Sequence, residues 1–281
     1  MSRPLDGKTI ALTGATAGIG RAAALELAGR GARMLLVCRD RAKGEAVVGT
    51  IRAAGGAAEL VLADLSLLSE VRRAGAELLA LAPRLDVLVN NAGALFQRRE
   101  LTAEGHELTF ATNHLSYFLL TRLLLERLKA GAPARVVNVA SAAHRRAKTE
   151  AFDDLRAERC YDGWQRYGLS KLANILFTRE LARRLEGTGV TANSLHPGVV
   201  ATGFGLNTTG LLKLLIKAAQ PFELTPEQGA DTVVWLAASP EAAGVTGKYF
   251  ARRVEARSTA AAQDDDAARR LWTLSEGLCG L

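Results

Sequence analysis

Short runs of aliphatic and β-branched residues alternate along this chain with longer stretches whose apolar positions recur at helical spacing. The short runs predict strands at Thr9–Thr13, Arg33–Cys38, Glu59–Ala63, Leu85–Val89, Arg135–Ala140, Thr191–Leu195 and Lys248–Phe250. The longer stretches predict helices, among them Ile19–Arg30, Ala42–Ala54, Ser66–Ala82 and Leu108–Lys129. Strands alternating with helices argue for a parallel sheet with helices on both faces. Ile10-Ala11-Leu12 and Val87-Leu88-Val89 are apolar throughout, as strands buried on both faces require. The expectation is an α/β fold: one doubly wound parallel sheet of about seven strands in a single domain over residues 1–281, without internal repeats or a linker.

Two segments break this rhythm. Residues 142–160 are polar and rich in Arg, Ala and acid, and read as an insert. Residues 203–226 carry the apolar run Leu211-Leu212-Lys213-Leu214-Leu215-Ile216. Long irregular connections in compact domains often close over active sites, so a substrate lid is the preferred reading. A membrane-touching helix and a contact between copies in a homo-oligomer are the other two.

Composition narrows the function classes. The net charge of +7 invites nucleic acid, but the arginines are scattered among Ala and Leu with Glu interspersed. Only 5% of residues are aromatic, with no basic stripe interleaved with rings, so no nucleic-acid partner is expected. No apolar stretch approaches the roughly 18 residues of a membrane span, and no signal peptide is visible. Cys38, Cys160 and Cys279 are odd in number and far apart. This points to a reducing, cytoplasmic setting with neither disulfides nor a bound metal.

The candidate chemistry begins at the first strand–helix junction, Thr13-Gly14-Ala15-Thr16-Ala17-Gly18-Ile19-Gly20. Glycines there let the backbone approach a pyrophosphate, and the helix N-terminus offers unpaired N–H groups and a positive dipole end. The second strand ends in Cys38-Arg39-Asp40. An Arg at this point favours a cofactor with a 2′-phosphate, NADP(H) over NAD(H), while Asp40 is placed to cap the next helix. Asp64-Leu65 follows the third strand, where the carboxylate reaches either the adenine amino group or the cap of the next helix. Asn90-Asn91-Ala92-Gly93 ends the fourth, with small residues against which a cofactor can lie.

Tyr167 and Lys171 stand one helical turn apart and share a helix face. An ammonium beside a phenol favours phenolate and brings the Tyr pKa toward the operating pH, which suits proton transfer to a carbonyl or from an alcohol. Tyr117 and Tyr161 have no Lys at that spacing.

Taken in order, the Gly turn, Asp64, Asn90–Gly93, Asn113, Ser141, Tyr167-x-x-x-Lys171 and His196-Pro197-Gly198-Val199-Val200-Ala201-Thr202 resemble the short-chain dehydrogenase/reductase family along nearly the whole chain. Cys38-Arg39-Asp40, Tyr167–Asn174, Leu271-Trp272 and the long spacing from Ser141 to Tyr167 are most similar to its retinol dehydrogenase-like branch, which also holds relatives of protochlorophyllide reductase. Animal members of that branch often carry an N-terminal membrane anchor that this sequence does not show.

The resemblance implies a Rossmann-type fold and hydride transfer between a nicotinamide and a carbonyl or alcohol. It implies Tyr167 as proton donor or acceptor, Lys171 lowering its pKa and holding the nicotinamide ribose, and Ser141 hydrogen-bonding the reacting oxygen. Asn113, through a local distortion of its helix, would anchor a water linking Lys171 to solvent. The backbone of Pro197, Gly198 and Val199 would hold the carboxamide, and Thr202 would add a hydroxyl. The expected substrate is a small apolar aldehyde, ketone, alcohol or retinoid-like compound. Steroid-like or acyl-type ketones are the alternative within enzymes. A non-catalytic NADP(H)-sensing regulator is the alternative outside them, although such a protein has no need of both Tyr167 and Lys171.

Overall fold

The computed structural model describes residues 3–198 and 224–281. Seven strands run parallel: β1 (Thr9–Thr13), β2 (Arg33–Cys38), β3 (Ala57–Leu62), β4 (Val87–Asn90), β5 (Ala134–Val139), β6 (Val190–His196) and β7 (Tyr249–Ala251). The sheet has eight strands rather than about seven, because β8 (Val254–Glu255) folds back antiparallel on β7. The turn between them is Arg252-Arg253, both with positive φ, 53° and 62°. Two such residues make the twist a tight hairpin needs, but the usual Asn-Gly signature is missing, so the sequence does not announce it.

The spatial order is β3-β2-β1-β4-β5-β6-β7-β8, and the direction of winding reverses between β1 and β4. Diverging connections leave a crevice beyond the carboxyl ends of these two strands, where doubly wound sheets bind ligands. Helices α1 (Gly18–Gly29), α2 (Arg41–Ala53) and α7 (Pro226–Ala238) bury Leu27, Val48, Ile51 and Val233 on one face. Helices α3 (Leu68–Leu81), α5 (Ser116–Ala130), α6 (Gly163–Arg184) and α8 (Asp265–Cys279) cover the other with Leu78, Phe118, Leu172 and Trp272. Each interior strand feeds alternate side chains to the two cores: Ile10 and Leu12 to one, Ala11 to the other.

The helix predicted over Leu108–Lys129 is interrupted. A short turn α4 (Leu108–Phe110) leads into a π-helical turn at Ala111–Leu115 before α5 begins. The wider turn shifts hydrogen bonding by one residue and leaves backbone groups to find other partners. The insert is two 3-10 turns, Ala142–Arg146 and Thr149–Asp154, anchored by buried Phe152. Residues 203–223 of the expected lid, with the Leu211–Ile216 run, lie outside the described residues. No helix among the described residues is long and apolar enough to cross a membrane. Cys38 and Cys279 are buried, Cys160 is exposed, and all three are free thiols.

Candidate active site

The crevice between β1 and β4 is held shut at its base by one side chain. Asn91 donates from Nδ2 to the carbonyls of Thr13 (2.9 Å) and Gly14 (3.2 Å), while Thr13 Oγ1 accepts from Asn91 N (2.9 Å) and Ala92 N (3.1 Å). The Gly turn is thereby tied to the end of β4. Gly14 has φ +73°, and a Cβ on Gly20 would sit 2.1 Å from the Gly14 carbonyl oxygen. Thr16, Ala17 and Ile19 complete the turn, and Ala17 occupies the N-cap of α1 without any side-chain hydrogen bond. No acidic residue stands in the first turn of α1. A helix of this length with an uncapped, unopposed N-terminus suits a phosphate. Ala92 and Gly93 form the adjacent wall, where a Cβ on Gly93 would stand 3.3 Å from both Asn113 Oδ1 and Lys171 Nζ. These features fit a dinucleotide laid across the switch point.

At the edge of the crevice Arg39 is 78% exposed and lies 3.7 Å from the Asp64 carboxylate. Asp40 caps α2 by accepting from Lys43 N, as its position predicts. Asp64 is not the cap of α3. It accepts from Ser66 N (3.0 Å) and Ser66 Oγ (2.8 Å), while the first N–H groups of α3 donate to Glu104, which sequence distance concealed. Leu65 beside it is buried in the core.

The second half of the site sits above β4 and β5. Tyr167 is 9% exposed and hydrogen-bonded with Ser141. Burial pushes its phenol up to about 12, with the Ser141 hydrogen bond acting in the opposite direction. Trp164 stands edge-on to the Tyr167 ring, 6.3 Å between centroids, and carries the Arg146 guanidinium on its own ring. Lys171 is only 2% exposed and is pushed down to about 7 by burial. Its Nζ donates to the Val139 carbonyl at 3.0 Å and lies 5.5 Å from the Tyr167 ring centroid and 5.7 Å from that of Tyr117. The ammonium thus stands beside the phenol, as the one-turn spacing requires, with its hydrogen bond directed at the end of β5. The other two tyrosines serve the frame: Tyr117 Oη donates to Ala92 O (2.7 Å) and Tyr161 Oη to Phe96 O (2.8 Å).

Asn113 lies in the π turn and is fully buried. Its amide accepts from Ala94 N (2.8 Å) and donates to Ala94 O (2.9 Å) and Ser170 Oγ (3.0 Å). The side chain clamps the segment after β4 to α6. Pro197 and Gly198 follow β6 at the same edge of the sheet, and Val199 and Thr202 lie outside the described residues. His196, at the end of β6, is held neutral, its pKa lowered to about 4 by burial and by nearby His144, Arg145 and Arg252.

Two further polar residues complete the site: His114, a single polar residue in a helix with no signature in the sequence, and Asn174, the last residue of the Tyr167–Asn174 stretch, to which the sequence assigns no role. Both are fully buried behind the π turn. Asn174 Nδ2 donates to the Asn113 carbonyl (3.0 Å) and to the Val139 carbonyl (3.4 Å). With both donors spent on carbonyls, Asn174 Oδ1 is the acceptor for His114 Nδ1 at 3.2 Å. That leaves His114 Nε2 to accept from Ser275 Oγ of α8 at 2.9 Å.

Burial lowers the His114 pKa from 6.5 to about 4. The unfolded chain therefore binds more protons than the folded one between these values, and stability falls as pH drops from 6.5 toward 4. For a fully buried imidazole this linkage is on the order of 3 kcal/mol. Urea denaturation at neutral and acidic pH should show it, and His114→Asn should flatten the slope. An unchanged slope in the variant would assign the acid sensitivity elsewhere.

The comparisons agree with this geometry. Residues 8–209 match the family model described as short chain dehydrogenase. Human retinol dehydrogenase 14 is 44% identical over 297 aligned residues, covering 99% of this chain and 88% of its own. An uncharacterized protein from Mycobacterium paratuberculosis, of known crystal structure, superposes with TM-score 0.80 at 34% identity, covering 98% of this chain and 94% of its own. A short chain dehydrogenase from Burkholderia cenocepacia, solved in complex with NADP, gives TM-score 0.72 at 27% identity over 88% of this chain and 96% of its own. The chain is an oxidoreductase belonging to the short-chain dehydrogenase family, in its retinol dehydrogenase-like branch.

Proposed function

We propose that this protein transfers a hydride between NADP(H) and the carbonyl or alcohol group of a small apolar substrate, an aldehyde, ketone or retinoid-like compound. The observation that carries this reading is the set of buried Tyr167 and Lys171 with half-buried Ser141, in the same crevice as the glycine turn at Gly14, Gly18 and Gly20. A bound nicotinamide supplies or takes the hydride; the protein positions the partners and handles the proton.

Tyr167 gives its proton to the substrate oxygen during reduction and takes one from the hydroxyl during oxidation. Ser141, already hydrogen-bonded to the phenol, donates to the same oxygen as negative charge develops there. Lys171, once its ammonium turns from Val139 toward the ribose side of the crevice, holds the positive charge that makes phenolate accessible. Asn113 keeps the π turn and the wall at Ala92–Gly93 in place. Thr16, Ala17 and Ile19 would present the turn's backbone to a pyrophosphate, Asp64 and Leu65 would border an adenine, and Asn91 fixes the Gly turn against the end of β4. Pro197, Gly198, Val199 and Thr202 are assigned to the carboxamide side, and residues 203–226 to a lid over the substrate. Steroid-like or acyl-type ketones fit the same chemistry and are separated only by assay.

The preference for the phosphorylated cofactor rests on Arg39. It is exposed at the end of β2 and only loosely paired with Asp64, so its fork is free to make charge-assisted bonds to a 2′-phosphate. NADP bound in the related Burkholderia structure supports the reading. Arg39→Ala should weaken NADPH binding by about 10- to 100-fold and hardly change NADH binding. Isothermal titration with each cofactor checks this; equal affinities of the unaltered protein for the two would refute the assignment.

A further inference from the structure

We propose that Asn174 is a positioning residue for Lys171: its amide holds the Val139 carbonyl that the ammonium also bonds and the Asn113 carbonyl of the π turn, and it is itself held by a chain through His114 to Ser275 of the C-terminal helix. The inference rests on the role given to Lys171 above and deepens it.

Three observations carry it. First, the Val139 carbonyl, at the buried end of β5, accepts from both Lys171 Nζ (3.0 Å) and Asn174 Nδ2 (3.4 Å). A buried carbonyl stripped of its donor is costly. With Asn174 present, the ammonium can leave Val139 for the phenol and ribose while the carbonyl keeps a partner. Without it, Lys171 is the one side-chain donor left to this carbonyl among the described residues, and it stays.

Second, the π turn presents the Asn113 carbonyl to Asn174, which donates to it at 3.0 Å. The side chain of Asn113 is fully engaged with Ala94 and Ser170, so this carbonyl fixes the rest of the turn relative to α6. Asn174 lies one turn beyond Lys171 on that helix, so a single amide sets the lysine's surroundings from both sides.

Third, the amide cannot rotate freely. His114 Nδ1 donates to its oxygen, and Ser275 donates to His114 Nε2. His114 is packed between Phe110 (4.9 Å) and Phe177 (6.0 Å), which holds the imidazole plane. The C-terminal helix thereby reaches to within two side chains of the site. The titratable groups that face the ammonium are Tyr167 on its own helix and Tyr117 from α5, with His114 from the π turn behind Asn174.

A merely structural Asn would alter stability alone, so the test reads kinetics against pH. Asn174→Leu keeps the number and branching of side-chain heavy atoms and removes both donors. With Lys171 retained at Val139, Tyr167 loses electrostatic help and its pKa rises. The expected result is a kcat about 10- to 100-fold lower at neutral pH, a cofactor KM raised as the ribose loses the ammonium, and a pH profile for alcohol oxidation displaced to higher pH. His114→Asn, whose amide can still donate to Asn174, should keep more activity than His114→Leu. Ser275→Ala, a milder change at the far end of the chain, should displace the profile in the same direction and carries the test if Asn174→Leu does not fold. A profile coincident with the unaltered enzyme, or a kcat reduced only in proportion to the folded fraction seen by circular dichroism, overturns the proposal. Lys171→Ala separates the two levels. If it is inactive while Asn174→Leu is not, only Asn174 is misassigned; if it retains full kcat, the role of Lys171 fails as well.

Discussion

Tyr167→Phe should lose turnover by at least about a hundredfold while binding NADPH as tightly as the unaltered protein, the scale on which removing a general acid acts. The phenol is 9% exposed and hydrogen-bonded with Ser141, and its hydroxyl is all that the substitution removes. Its pKa is pushed up to about 12 by burial, so at neutral pH it holds its proton and is ready to donate it. The same burial makes it a poor base until Lys171 is charged and close. Since Lys171 is itself lowered to about 7, its charge depends on the polar and anionic groups a bound cofactor brings. Reduction should therefore tolerate lower pH than oxidation. Steady-state rates in both directions, with cofactor binding measured separately by fluorescence titration, check the prediction; a variant that turns over normally would remove Tyr167 from the chemistry.

Gly20→Ala should weaken NADPH binding by about a hundredfold or more, corresponding to about 2.7 kcal/mol. The added methyl would overlap the Gly14 carbonyl oxygen (2.1 Å) and Asn91 Nδ2 (2.4 Å). Neither neighbour is a flexible side-chain end free to yield. The carbonyl is backbone, and Asn91 is the amide that ties the turn to β1 and β4. The turn must open, and the N–H groups at the start of α1 lose their alignment. Gly49→Ala is the control. Its Cβ would meet nothing within 4 Å in α2, so it should leave binding untouched and stabilise the fold by about 0.5–1 kcal/mol. Thermal unfolding with and without NADPH reads both variants; unaltered NADPH protection of Gly20→Ala would contradict the cradle.

The central strands were legible in the sequence because burial on both faces favours apolar residues at successive positions, as in Ile10-Ala11-Leu12. Thr13–Gly20 was legible because glycines cluster at a strand–helix junction, where the turn folds back so closely that a Cβ on Gly20 would meet the Gly14 carbonyl. Features that depend on long-range partners were hidden. The cap of α3 comes from Glu104, more than thirty residues downstream. The β8 hairpin turns on Arg252-Arg253, residues with no turn propensity of their own, and Arg253 is held by Asp231 and Thr232 of α7. Asp64 reads from the sequence either as an adenine contact or as the cap of α3; it is not the cap, because it closes on Ser66 two residues on. His114 and Ser275 carry no motif and the role of Asn174 is not visible in its motif, because their meaning lies in an arrangement of three helical segments that no local pattern encodes.

Deuteride transfer tests the central claim most directly. The protein would be incubated with NADPH carrying deuterium at the reactive nicotinamide carbon and a panel of apolar aldehydes and ketones, and the alcohols examined by mass spectrometry. The account predicts one deuterium at the former carbonyl carbon of each accepted substrate, none incorporated there from deuterated water, and no product with Tyr167→Phe. Tight cofactor binding by the unaltered protein with no label reaching any carbonyl compound, of either the short or the bulky cyclic kind, would contradict it and leave a nucleotide-sensing protein in place of an enzyme.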